Sequence, residues 1–509
     1  MRVAVIGSGI VGAAAAHWLS GRGVSVTVVD GAYPGQATQA GAGIVCPWVD
    51  HPDDDAWYRL TRAGTRYYPE LVAALGETMG YARVGALLVA DDPADLEPVR
   101  ALLARRYAEA PEMGEVVDVA SPSTLFPPLA EDLSALLVPG AARVDGRAVR
   151  SALLRAAVRQ GAELRSGTAT LTADGGVLVR DVREADSRGS DAPASPGPSD
   201  LASWRQATPG PTPYESPAPR PDSPYGPPDG GQAGGTPGSP YGQGGGETRG
   251  AGGSPYGPGG EDAGGATGSR GGGAAGASHG PEVGGGAGGA AGSPGGTVGG
   301  SRGARDGGGV LYGESEVAVA GGEVGEERPG AVGEGVPLDV DVVIVAAGAW
   351  TGEVCRGLGV EVPVFPRRGQ IVHATLDDVD TSGWPIVLPH IGPYLVGFPG
   401  SRVVVGATIE DVGFAPRVTV GGLDEVLQAG LRVAPGLFGA TVSETRVGLR
   451  PVYAPGSPLV GPVGERVIVA TGMGAYGLTA GPFAGRLAAG LALGEEPPID
   501  VRPYGLRGR

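Results

Sequence analysis

The chain has 509 residues, 41% of them hydrophobic, and a formal net charge of -17; it exceeds one typical domain, can bury a core, and is too acidic for non-specific nucleic-acid binding. Its 97 glycines and 47 prolines are far above ordinary usage, so part of the chain does not pack. It contains no lysine and no asparagine, which excludes a pyridoxal Schiff base, a Walker-type phosphate lysine, a lysine nucleophile and N-glycosylation.

In chain order, Arg2–Ile6 is β-branched and predicts a buried strand. Gly7-Ser8-Gly9-Ile10-Val11-Gly12 follows, then an alanine-rich helix, then a second strand over Val24–Val29 that ends at Asp30. In this strand–turn–helix–strand unit Gly7 permits the tight turn, Gly9 lets the backbone approach a pyrophosphate, and Gly12 lets helix and strand close together. The helix N-terminus, at Ile10 and Val11, offers free N–H groups and a positive dipole end to phosphate. Asp30 stands at the spacing of a ribose-binding carboxylate, which favours FAD or NAD over NADP. The next segment, Gln36–Gly43, is small and flexible enough to pass close to a flat ring, with Thr38, Ala40, Gly41, Ala42 and Gly43 as the candidate contacts.

Near Ala185 the composition changes, and residues 185–335 carry Gly and Pro runs with Ser-Pro-Tyr-Gly repeated at Ser223–Gly226, Ser239–Gly242 and Ser254–Gly257. Almost nothing apolar remains there to offset the ordering entropy, so disorder is expected. Strands are predicted on both sides, at Gly176–Val182 and Val340–Ala346. Because motifs before and after belong to one cofactor site, the stretch reads as an insertion within a domain rather than a linker, and closure entropy grows only slowly with its length. Downstream, Asp341–Trp350 places Ala347 and Gly348 at a strand end. Arg466–Thr471 predicts another strand, followed by Gly472-Met473-Gly474-Ala475-Tyr476-Gly477-Leu478-Thr479 and a helix with Thr479 as its N-cap. Such a helix end suits the negative charge of a reduced flavin.

Together these segments resemble the FAD-dependent D-amino-acid oxidase superfamily, which includes glycine oxidase, sarcosine oxidase and bacterial D-amino-acid dehydrogenase. Gly140–Gly146, Pro366–Gln370, Val404–Thr408 and Val447–Pro451 are similar to further motifs of that family, in the same order. The resemblance covers nearly the whole chain outside the insertion. It implies an α/β architecture: a doubly wound, Rossmann-like FAD-binding domain with a second α+β substrate domain on an antiparallel sheet. The expected division gives 1–80, 141–184, 336–362 and 447–509 to the FAD domain, 81–140 and 363–446 to the substrate domain, and 185–335 to the disordered insertion.

The resemblance also implies the chemistry: hydride transfer from a carbon beside an amine nitrogen to flavin N5, and hydrolysis of the resulting imine. The substrate is then a small amine or amino acid, and the electron acceptor is oxygen or a quinone or other carrier. Family members with covalent flavin use a His or Cys beside the ring; here the C-terminal loop has Met473, and a buried free thiol is the expected state of Cys46, so FAD is expected to be non-covalent.

A substrate carboxylate needs a cation. Arg450 is the first candidate, with Arg446 and Arg368 behind it and Arg368 expected at the surface or facing the cofactor. Tyr394 is the candidate hydroxyl. His51 and Trp48 are expected to roof the pocket, and His373 to be a satisfied core or rim histidine. The D-amino-acid oxidases proper have a second Arg where this chain has Tyr453.

The rival readings are an FAD-dependent 2-hydroxy-acid dehydrogenase, an NAD-dependent dehydrogenase and a flavin-binding protein without turnover. Neither the two cysteines nor the five scattered histidines have metal-ligand spacing. No apolar run reaches membrane-spanning length and the first residues do not read as a signal peptide, so a cytoplasmic chain is expected, with peripheral membrane attachment as the alternative.

Overall fold

Strands Arg2–Ile6, Ser25–Asp30 and Val342–Val345 are buried on both faces, as their β-branched composition demands. They form the centre of a six-stranded sheet in the order Leu459–Pro462, Val467–Thr471, Val342–Val345, Arg2–Ile6, Ser25–Asp30, Glu163–Ser166. All neighbours are parallel except the first pair. Alternate residues face opposite layers. Val3, Val5, Val26 and Val28 pack with the helices Ile10–Ser20, Gly146–Arg159 and Gly477–Ala492. Ala4, Ile6, Val29 and Val345 pack against a small antiparallel sheet of Thr168–Leu171, Val177–Arg180 and Val336–Leu338.

This computed structural model describes residues 1–181 and 335–507. They belong to one structural unit, residues 1–223 with 329–509. The expectation of disorder over 185–335 lies outside the described residues, save Gly335. The two sides of that stretch are hydrogen-bonded neighbours, with Val179 opposite Val336 and Leu178 opposite Pro337. The sequence reading missed the strand Val336–Leu338 because Pro337 breaks its pattern. Proline is tolerated there because the strand lies at the sheet edge.

A second sheet has eight strands, in the order Thr441–Tyr453, Val364–Thr375, Arg402–Gly406, Tyr394–Phe398, Ile386–Pro389, Ala86–Ala90, Ser134–Val138, Val117–Val119. Its pairs are antiparallel except Ile386–Pro389 with Ala86–Ala90. The strand Thr441–Tyr453 runs unbroken through the expected boundary at 446–447. It comes back beside the first sheet, where Leu449 bridges to Gln36. Among the described residues no helix is long and apolar enough to cross a membrane.

Candidate cofactor and substrate site

The turn after the first strand is shaped by contacts that only glycine allows. Gly7 has φ +99°, and a Cβ there would lie 2.4 Å from Ala346 O; a Cβ on Gly12 would lie 1.9 Å from Gly7 O. Helix Ile10–Ser20 therefore begins against the strand, with no side chain of Gly9 to cap it and no acid in its first turn. Thr38 Oγ1 accepts the Ile10 N–H at 3.0 Å. Asp30 stands at the end of the next strand, where it accepts from the N–H groups of Ser8 and Ala32, each at 2.7 Å, and from Gln36 Nε2 at 3.1 Å. Arg150 donates to Ser8 O at 2.7 Å and so places a cation behind the turn.

These groups open onto a cleft of about 650 Å³. Gly7, Gly9, Ile10, Val11 and Asp30 line one end, with Tyr33, Trp350 and Thr168–Leu171 beyond them. The Tyr33 and Trp350 rings stack at 5.2 Å. Thr38, Ala40, Gly41, Ala42, Gly43, Ala347 and Gly348 line the middle. The far end is lined by Gly369, Ile371, Tyr394, Gly448, Arg450, Met473, Gly474, Gly477 and Leu478.

Four residues expected to touch the cofactor do not line the cleft. Gly12 serves helix–strand closure alone. Gly472, at φ +80°, turns the chain against Tyr453. Tyr476 points the other way, its ring 4.7 Å from that of His51 and 5.3 Å from that of Trp57. Thr479 is not an N-cap: the helix starts at Gly477, and the Thr479 hydroxyl donates to Ile44 O at 2.9 Å. The short 3-10 turn Gly474–Tyr476 runs into the helix and moves its start forward. That start has no side-chain cap and no acid in its first turn, and its first residues, Gly477 and Leu478, line the cleft.

Arg450 and Tyr394 come together as expected for one site. Arg450 Nη1 donates to Thr408 O at 3.0 Å and to Arg368 O at 3.2 Å, and the guanidinium also hydrogen-bonds the Tyr394 hydroxyl. None of these partners is charged. Burial pulls the Arg450 guanidinium below its ordinary pKa and pushes the Tyr394 phenol above its own. Gly369 makes the room: a Cβ there would lie 2.3 Å from Arg450 Nη2. The sequence reading missed Gly369 and Gly448, which sit opposite each other in register; glycines recurring inside two long strands were the available signal.

The other candidate cations are engaged elsewhere. Arg368 is buried rather than surface or cofactor-facing; it pairs with Glu410 and donates to Ala415 O at 3.0 Å. Arg446 pairs with Glu444 at 2.6 Å. Trp48 is fully buried and His51 stacks on Trp57 at 4.6 Å, so neither roofs the cleft. His373 is a core residue, but neither ring nitrogen has a hydrogen-bond partner among the described residues, and burial pushes its pKa down to about 4. Neither Cys46 nor Cys355 lines the cleft, and burial pushes both thiols up.

The chain belongs to the FAD dependent oxidoreductase family (DAO), whose sequence profile matches residues 2–193 and 296–491. It is 30% identical to the uncharacterized oxidoreductase YurR of Bacillus subtilis, over 98% of this chain and 97% of that one. A glycine oxidase of Pseudomonas putida is 34% identical over 34% of this chain and 47% of its own length. Among solved structures, iminodiacetate oxidase from Chelativorans sp. BNC1 matches with a TM-score of 0.67 and 33% identity, covering 99% of this chain and 98% of that one. The protein is an FAD-dependent oxidoreductase. The cleft has features that suit that cofactor: a glycine turn and helix end of the kind that takes a pyrophosphate, a carboxylate at the end of the next strand, and a second helix end at the opposite pole.

Proposed function

We propose that the chain oxidises a small amino acid or related amine at the C–H bond beside nitrogen, with Arg450 holding the substrate carboxylate. The supporting observation is Arg450 itself, a half-buried guanidinium at the cleft wall whose hydrogen-bond partners are two carbonyls and a phenol. Its hydrogen-bond partners carry no charge, and a bound carboxylate would add a charge-assisted pair. In this reading Gly7, Gly9, Ile10, Val11 and Asp30 hold the adenosine and pyrophosphate side of FAD. Thr38 through Gly43 with Ala347 and Gly348 pass along it, and Gly474, Gly477 and Leu478 stand at the flavin.

When bound, FAD supplies the acceptor for the two electrons and the hydrogen that leave the substrate carbon. Arg450 fixes where that carbon sits, and the Tyr394 hydroxyl holds the guanidinium in place. The N–H groups at Gly477 and Leu478 favour negative charge in front of them. The nitrogen proton passes to water, and the released imine hydrolyses without further help from the protein. Among the described residues neither Cys46 nor Cys355 lines the cleft, which supports a reading with FAD held non-covalently. The six-stranded sheet carries the cofactor side and the eight-stranded sheet the substrate side, in a cytoplasmic protein.

The substrate candidates are iminodiacetate, glycine, sarcosine and D-amino acids, iminodiacetate first because the iminodiacetate oxidase match spans both chains. The test is anaerobic mixing of the yellow protein with each of these and with a 2-hydroxy acid. Loss of the flavin's visible absorbance with an amine and not with the hydroxy acid is expected; the opposite pattern overturns the reading. Admitting air afterwards shows whether oxygen or a quinone-type carrier accepts the electrons.

A further inference from the structure

Behind the cleft's far end lies a buried polar group that the substrate chemistry does not use. Residues 48–51 follow the cleft-lining segment Ala40–Ile44, and Arg106 clamps them from the helix Glu97–Tyr107. Its Nη1 donates to Trp48 O at 2.8 Å and Asp50 O at 2.7 Å, and its Nη2 donates to His51 O at 2.7 Å. The guanidinium spends itself on main-chain carbonyls. The Asp50 side chain, 3% exposed, turns inward. One of its oxygens, Oδ1, has no hydrogen-bond partner among the described residues.

The carboxyl does accept a hydrogen bond from the Tyr476 hydroxyl. Tyr476 closes the turn Gly474–Tyr476, whose other two residues line the cleft, and immediately precedes Gly477, where the uncapped helix begins. Its ring is braced by His51 and Trp57, and Trp57 is fixed by donation from Nε1 to Gly456 O at 2.8 Å.

We propose that Asp50 is a positioning residue for the bound FAD: through Tyr476 it latches the start of helix Gly477–Ala492 to the segment on the other side of the cleft, and so sets how readily the flavin takes up electrons. The proposal rests on the FAD reading and adds to it the element that aims the helix end. A buried carboxyl with an unpartnered oxygen is costly to retain, and a solely structural role is met by any apolar side chain of similar size. The latch requires a hydrogen-bond acceptor at position 50 and a hydroxyl at position 476.

The experiment uses the full chain with Asp50→Asn, Asp50→Leu and Tyr476→Phe. For each, the FAD dissociation constant and the flavin reduction potential are measured, with thermal unfolding of the apoprotein as a control for folding. Asp50→Asn is expected to match the wild type. Asp50→Leu and Tyr476→Phe are each expected to weaken FAD binding by about fivefold to tenfold, the size of one lost buried hydrogen bond, and to lower the potential. Tyr476→Phe removes a single oxygen, so it decides the matter if Asp50→Leu does not fold. Wild-type binding and potential in Tyr476→Phe overturn the latch, as does an Asp50→Asn variant that differs from wild type as strongly as Asp50→Leu does. A wild-type chain that takes up no FAD defeats the parent reading and the latch with it.

Discussion

The two ends of the cleft are built in different ways. At the glycine-turn end, Gly7, Gly9, Ile10, Val11 and Asp30 come from the first thirty residues, and each is placed by the geometry of one strand–turn–helix–strand unit. At the far end, Gly369, Tyr394, Arg450 and Gly474 come from four segments, three strands of the eight-stranded sheet and a helix entry. Local sterics fix the first end. The second depends on register: Gly369 opposite Gly448, and Tyr394 opposite Gly406, bring the Arg450 guanidinium and the phenol into one space. On the proposed reading, a change at the first end is expected to act on cofactor retention alone, and a change at the second on substrate and electron uptake, with FAD binding touched only through the Asp50–Tyr476 latch.

The sharpest break at the first end is Gly12→Val. The added carbon meets Gly7 O, which is main chain and cannot yield, so more than about 3 kcal/mol is lost. The expected outcome is protein without bound FAD or no folded protein, read from the ratio of visible to ultraviolet absorbance. At the second end, Arg450→Met is expected to keep FAD while kcat/KM falls roughly a hundredfold or more, by steady-state kinetics. Arg450→Lys should recover only part, because an ammonium cannot replace a guanidinium in this geometry. A loss of FAD in Arg450→Met would show that the two ends are not separable.

Asp50 sharpens the comparison through pH. Burial, outweighing the Tyr476 hydrogen bond and the Arg106 charge, pushes its pKa up to about 8 from an ordinary 3.8. The groups around it are Cys46 on its own segment, Arg106 from the helix Glu97–Tyr107 and Tyr476 from the C-terminal loop. Between pH 4 and 8 the unfolded chain gives up this proton while the folded one keeps it, so stability is full below about 4 and falls as pH rises towards 8. Asp50→Asn removes this contribution. Its denaturation midpoint should gain on the wild type as the pH is raised from 5 to 8, and parallel midpoints would refute the assignment. The smallest effect is expected from Asp30→Ala. Loss of the proposed ribose contact, and of the acceptor for the Ser8 and Ala32 N–H groups, weakens FAD binding by about tenfold, with the close approaches at Gly7 and Gly12 kept; equilibrium dialysis of FAD checks it.

The same contrast explains what could be read in advance. The first unit was legible because its signal is local: β-branched strand, glycine turn, alanine-rich helix, acid at the next strand end. Arg450 and Tyr394 came from order along the chain and from resemblance to a family, since neither carries a local signature. Thr479 was misplaced as a cap because a three-residue 3-10 turn starts the helix three residues early. The strand at Val336–Leu338 hid behind Pro337, and only its pairing with Val177–Arg180 shows that the two sides of the insertion meet. Asp50, Arg106 and Tyr476 lie on three distant segments, and nothing in their spacing links them.

The central claim is that the glycine turn, the middle strands and the C-terminal helix entry grip a single FAD. The most direct measurement is the flavin content of the purified full-length chain after incubation with FAD and removal of the excess. One equivalent per chain, released intact into the supernatant on acid precipitation, is the predicted result. A colourless protein, or flavin that stays with the precipitate, contradicts it.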